Sequence, residues 1–186
     1  LAFLIVCVIS IFVILLVLSP GTPQPLLDKN GNQIPGSISE KIFVNINGVN
    51  QGMFIESVNP DNPVLLFIHG GLGMPEYFLN EKYPAGLENY FTVCWWERRG
   101  AGLSYSPDIS GVDITIDKYI SDTIAVTNYR RNRFGQEKIY LMGHSGGSFI
   151  GIQAAAKAPE KYKAYIGIGQ MSNQFESEKL AYSYML

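Results

Sequence analysis

The segment Gly143-His144-Ser145-Gly146-Gly147 sets a hydroxyl in the pattern G-x-S-x-G. It follows an apolar run at residues 139–142 and precedes an alanine-rich stretch at 148–158. The pattern alone is common; a strand before it and a helix after it give it meaning. A chain passing from strand to helix in so few residues must turn sharply, which forces the middle residue into a strained, left-handed conformation. The flanking glycines remove side chains that would collide across the turn. The Ser145 hydroxyl then stands above the carboxyl edge of a sheet, at a helix N-terminus whose dipole favours developing negative charge. That arrangement suits a serine acting as a nucleophile. His144 is read as structural, because neighbours on a sharp turn point in different directions.

A second glycine cluster, His69-Gly70-Gly71-Leu72-Gly73, directly follows the apolar run at 64–68. Acyl transfer needs two preorganised backbone N–H donors for the oxyanion. One is expected from Gly146, the residue after the serine, and the other from this loop. His69 is read as bracing the loop. A phosphate-binding loop would require G-x-x-x-x-G-K-[ST], and no such lysine follows. A third segment runs Glu97-Arg98-Arg99-Gly100-Ala101-Gly102-Leu103-Ser104. Here Arg99 is expected to pin neighbouring loops through its planar fork of donors.

Together the three segments resemble the α/β-hydrolase fold family, and within it the proline iminopeptidase-like branch. The resemblance extends over residues 38–165. That branch carries H-G-G-P-G, D-Q-R-G-x-G-x-S and G-x-S-x-G. The resemblance implies Ser145 as nucleophile, the backbone of Gly71 and Gly146 as oxyanion hole, and His69, Gly70 and Arg99 as the supporting loops. It implies a hydrolase acting without a cofactor on a small ester or peptide, in the manner of an aminopeptidase. Leu72 departs from the loop proline, Glu97 and Arg98 from Asp and Gln, and Gly146 from a large residue after the nucleophile. Relatives with an aspartate nucleophile, the epoxide hydrolases and haloalkane dehalogenases, fit Ser145 less well.

In such hydrolases the triad runs Ser, then Asp or Glu, then His. After Ser145 the acidic residues are Glu160, Glu176 and Glu178, and no histidine follows. The family supplies acid and base from loops after the seventh and eighth strands, and a substrate-recognising helical cap after the sixth. The chain is therefore expected to be a fragment, inactive by itself. A non-catalytic binding module of the same fold is the alternative reading. Two histidines apart in sequence, with no carboxylate cluster, give no metal-ligand set.

The elements that must hold these loops are legible in outline. Residues 40–46 and 49–57 flank Asn47-Gly48, the strongest short hairpin signal. Continuous apolar runs at 64–68, 91–96, 139–142 and 165–168 read as strands buried on both faces. Residues 115–134, with Gly135 as stop, and 148–158 read as helices. This predicts an α/β domain with a mostly parallel sheet and helices on both faces, incomplete at its C-terminus. The hydrolase core is assigned to residues 38–175, and 176–186 to the start of a helical cap. The last strand is expected to be an exposed apolar edge that makes the isolated fragment aggregate.

Fourteen Lys and Arg against sixteen Asp and Glu give a net charge of −2, no basis for binding nucleic acid. Arg130, Arg131 and Arg133 read as solvated cations at a helix C-terminus. The two cysteines, Cys7 and Cys94, are expected to remain unpaired. Residues 1–18 carry no charge, and eighteen helical residues rise about 27 Å, close to a bilayer core. They are expected to form a single transmembrane anchor, followed by a Pro/Gly-rich linker at 19–37. Few basic residues follow the anchor, which favours an extracytoplasmic domain.

Overall fold

The computed structural model describes residues 2–18, 22–71 and 73–186. Leu1 of the expected anchor, residues 19–21 of the expected linker and Leu72 of the glycine loop lie outside the described residues. Strands β1 (Ile38–Ile46) and β2 (Val49–Ser57) form the expected antiparallel hairpin. Its turn residues Asn47 and Gly48 both have positive φ, 48° and 82°, which matches the twist of the flanking strands. Then come β3 (Val64–Ile68), β4 (Thr92–Trp96), β5 (Ile139–His144) and β6 (Tyr162–Ile168). The sheet order is β1-β2-β4-β3-β5-β6, with β4, β3, β5 and β6 parallel.

Every residue of β3 and β4 is buried, as their unbroken apolar sequences require. From the central strand β3 the chain goes to β4 on one side and reaches β5 on the other. A crevice opens at the carboxyl ends of strands where a sheet is wound in both directions like this. The register pairs Ile68 with Gly143, so the loops leaving β3 and β5 emerge side by side.

Helices α1 (Ala2–Leu18), α2 (Tyr77–Lys82), α3 (Ile116–Phe134), α4 (Gly146–Lys157) and α5 (Gln174–Met185) complete the fold. The Thr115 hydroxyl caps α3 by accepting the Lys118 N–H, and Gly135 ends it at φ 62°. Helices α3 and α4 cover one face of the sheet around Met53, Leu66, Ile68, Trp96 and Leu141. The other face is more thinly covered: Tyr77 of α2 packs among Leu65, Phe67, Val93 and Trp95 and stacks on Phe54 with centroids 3.9 Å apart. Strand β6 begins at Tyr162, three residues before the expected start, because exposed Lys163 and Ala164 mask the apolar pattern. It is the edge of the sheet, with Ile168 exposed.

The expected transmembrane helix finds no support: among the described residues, no helix is long and apolar enough to cross a membrane. Helix α1 has 17 residues, and all its described side chains except Cys7 are exposed. The reading of Arg130 as a solvated helix-end cation is corrected. Its side chain is fully buried, with the guanidinium carbon 5.0 Å from the Tyr129 ring centroid and 6.0 Å from that of Phe134.

Asp122 of α3 is a buried charge with several partners. It accepts from Arg99 Nε at 2.5 Å and Nη2 at 2.8 Å, from Gln51 Nε2 at 2.7 Å and from Asn47 Nδ2 at 2.8 Å. The carboxylate thus fastens α3 to the hairpin and to the loop after β4. Replacing it strands a buried guanidinium, so Asp122→Ala is expected to cost roughly 3–5 kcal/mol, measured by urea denaturation.

Candidate active site

Ser145 lies between β5 and α4 with φ 49° and ψ −120°. Among the described residues only Asn47 shares a positive φ without being glycine, and Asn tolerates that region far better than Ser. The strain persists because the turn is held on both sides. The Ser145 N–H donates to the Ile168 carbonyl at 2.8 Å. The Ser145 carbonyl accepts from the N–H of Ser148 at 2.9 Å and from its hydroxyl at 2.5 Å. The serine itself is half-buried.

Steric space fixes the flanking glycines. A Cβ on Gly143 would lie 2.6 Å from the Gly147 carbonyl oxygen and 2.7 Å from Ser148 Cα. A Cβ on Gly147 would run into the carbonyl oxygens of Ile68 and His69. Helix α4 therefore starts directly against the end of β3. It begins at Gly146, two residues before the expected start, so the glycines that read as a turn are its first turn.

The β3 loop meets this turn. A Cβ on Gly146 would lie 3.2 Å from the oxygen and 3.7 Å from the nitrogen of Gly71, so the two backbones are in near contact. Gly71 has φ 59°. Among the described residues, neither the Gly71 N–H nor the Gly146 N–H has a hydrogen-bond partner; the latter belongs to the open first turn of a helix. Beside them is a mainly apolar cavity of about 260 Å³ bounded by Gly71, Gly146, Ile116, Tyr119, Phe149 and Met171. A larger groove of about 690 Å³ and mixed polarity lies between the hairpin turn and the loop after β4, and its lining includes neither Ser145 nor Gly71.

His69 is 2% exposed. Its Nε2 accepts the backbone N–H of Arg98 at 3.2 Å, which assigns the proton to Nδ1 for the 3.0 Å bond to the Gly70 carbonyl. Burial, aided by the Arg98 guanidinium, pushes its pKa down to about 4. It is therefore neutral and joins the loop to Arg98. Buried Arg98 donates from Nη2 to the carbonyls of Gly70 and Gly71, both at 3.1 Å, and lies over the Tyr119 ring.

Glu76 accepts the Gly70 N–H at 2.7 Å and contacts His144 Nδ1 at 2.8 Å. Glu97 accepts the Leu103 N–H at 2.5 Å and closes its own loop; burial raises its pKa.

Five of the six residues singled out in the sequence, Ser145, Gly146, Gly71, Gly70 and His69, lie together where the loop after β3 meets the turn before α4. Arg99 does pin neighbouring elements, but through Asp122 and the Asp113 carbonyl, away from the glycine loop. The arginine holding that loop is Arg98, a position whose departure from the familiar motif had hidden its use. Glu76 was missed as well, since its partner His144 lies 68 positions away.

The alpha/beta hydrolase fold family model matches residues 63–185, and the chain belongs to that family. It is 40% identical over 142 residues to the probable aminopeptidase YbaC of Bacillus subtilis, covering 76% of this chain and 45% of that protein. It is 28% identical over 131 residues to a proline iminopeptidase of Thermoplasma volcanium, covering 70% and 42%. The chain thus spans just under half the length of these relatives. A proline iminopeptidase-related protein from Thermus thermophilus superposes with a TM-score of 0.57 at 24% identity, covering 70% of this chain and 44% of that one. An epoxide hydrolase from Vigna radiata gives 0.58 at 24%, covering 69% and 39%. At such identities the likeness is one of fold.

The backbone of Ser145 favours glycine. Ser145→Gly is expected to stabilise the domain by about 1 kcal/mol, seen as a raised denaturation midpoint.

Proposed function

We propose that the chain carries the nucleophile half of a serine hydrolase for small ester or peptide substrates, aminopeptidase-like in its specificity. The observation that carries this reading is the strained, half-buried Ser145 at the start of α4, with Gly71 and Gly146 packed together beside it. A serine held in such a conformation has a catalytic use, whereas a binding surface has no evident need of it. In the proposed mechanism the Ser145 hydroxyl attacks the substrate carbonyl. The N–H groups of Gly71 and Gly146 take the developing oxyanion. Collapse of the tetrahedral intermediate releases the alcohol or amine, and water then hydrolyses the acyl-enzyme.

The base must come from elsewhere. His69 is buried, neutral and tied to Gly70 and Arg98; His144 is tied to Glu76; and neither hydrogen-bonds to Ser145. We therefore place the catalytic histidine and its acid in polypeptide outside these 186 residues. Without them only the residual catalysis of oxyanion hole and binding would be left. The names of the Bacillus and Thermoplasma relatives support a peptidase-like substrate. Helix α5 would begin the cap over the crevice.

We also keep as a proposal that residues 1–18 tether the protein to a membrane, with the domain on the extracytoplasmic side. Support comes from the uncharged sequence of α1 and from the exposure of its described side chains, Cys7 apart.

A fluorophosphonate probe tests both proposals. The full-length protein is expected to be labelled at Ser145 and recovered in the membrane fraction. Ser145→Ala and the 186-residue chain are expected to remain unlabelled. Labelling that persists in Ser145→Ala would sink the assignment, and labelled protein in the supernatant would sink the tether.

A further inference from the structure

We propose that Glu76 is a positioning residue of the acyl-transfer site, setting the separation between the oxyanion loop and the serine turn. The proposal rests on the roles given above to Ser145, Gly71 and Gly146. Glu76 occupies the N-cap of α2, yet its side chain makes no capping bond to that helix. One oxygen, Oε1, instead takes the Gly70 N–H at 2.7 Å and contacts His144 Nδ1 at 2.8 Å. Gly70 immediately precedes Gly71, and His144 immediately precedes Ser145. A single carboxylate oxygen therefore joins the two loops one residue upstream of each proposed working residue.

The junction is tight. The Cβ position of Gly70 lies 3.0 Å from Glu76 Oε1, 3.1 Å from Ser145 Cβ and 3.2 Å from His144 Nδ1. Gly70 does not occupy the left-handed region that would by itself call for glycine. A side chain here would crowd the carboxylate, the imidazole and the serine, each of which would have to move by a few tenths of an ångström. The opposite side of the same residue is held as firmly. Its carbonyl accepts from Arg98 Nη2 at 3.1 Å and from His69 Nδ1 at 3.0 Å.

Glu76 supplies the hold on the N–H of Gly70, and the contact is strong because the acceptor is charged and only 17% exposed. With Gly70 fixed through both its polar backbone groups, the Gly71 N–H that follows has little freedom left. Oxyanion stabilisation depends on that freedom being small, since a shift of about 1 Å in a positioned group costs about 100-fold in rate.

The test measures kcat and KM of the full-length protein with p-nitrophenyl acetate and L-prolyl-p-nitroanilide, and amide hydrogen exchange at Gly70 and Gly71. Glu76→Ala is expected to lower kcat by about 100-fold or more, to leave KM within about threefold, and to speed exchange at both glycines. Glu76→Gln keeps an oxygen able to accept the Gly70 N–H and is expected to recover kcat to within about tenfold of the native enzyme. Glu76→Asp is one methylene too short to reach both partners, and its kcat should fall with that of the alanine variant. Unchanged kcat in Glu76→Ala, in a protein that Ser145→Ala inactivates, overturns the role of Glu76. If the alanine variant does not fold, equal kcat in the Gln and Asp variants overturns it. Full activity in Ser145→Ala instead removes the hydrolase reading; exchange at Gly70 and Gly71 in Glu76→Ala then decides alone, and unaltered rates overturn the bridge.

Discussion

The parallel pairing of β3 with β5, in the register that sets Ile68 against Gly143, is the constraint on which the site depends. A shift of one residue would reverse the facing of every side chain on the moved strand. It would also part the two loops that leave the sheet abreast. That register is secured by burial, since every residue of β3 is covered on both faces. It lets α4 begin directly against the carbonyls of Ile68 and His69, where only glycine fits at position 147. The strain at Ser145 is thus sustained by the packed sheet beneath it.

Around this frame, buried polar groups divide the labour. Arg98, His69 and Glu76 grip the glycine loop through its backbone N–H and carbonyl groups. Arg99 and Asp122 grip the next loop and lock it to α3 and the hairpin. Two adjacent arginines point to different partners and do different work. Both are buried, so each must find acceptors close by. They find them in different forms: Arg98 in backbone carbonyls and Arg99 in a carboxylate. Replacing one by the other's role would leave unmatched donors in the interior.

Much of this was legible in the sequence, and what escaped did so for physical reasons. Strands β3 and β4 are unbroken apolar runs, and the Asn-Gly hairpin needs positive φ at both turn residues, so local pattern sufficed. The start of α4 was misplaced because Gly146 and Gly147 disfavour helix intrinsically; contact with β3 overrides that preference. Strand β6 lost its first residues to the exposed Lys163 and Ala164 of an edge strand. Arg130 looked solvated by its place near a helix end, but the sheet buries that side of α3. For the site, glycine spacing singled out Ser145, Gly146, Gly70, Gly71 and His69, which the fold brings close together. Glu76 and Asp122 carried no such mark, because their worth lies in partners far along the chain.

One bond links the periphery to the centre. The Ser145 amide is held by the carbonyl of Ile168, the last residue of β6, and β6 is an edge strand, with Ile168 itself exposed. Fraying of a margin requires far less free energy than opening an interior. The stiffness of the serine's bend is therefore set at a strand on the sheet's rim, and anything that zips onto this rim would quiet motion at the hydroxyl without touching it.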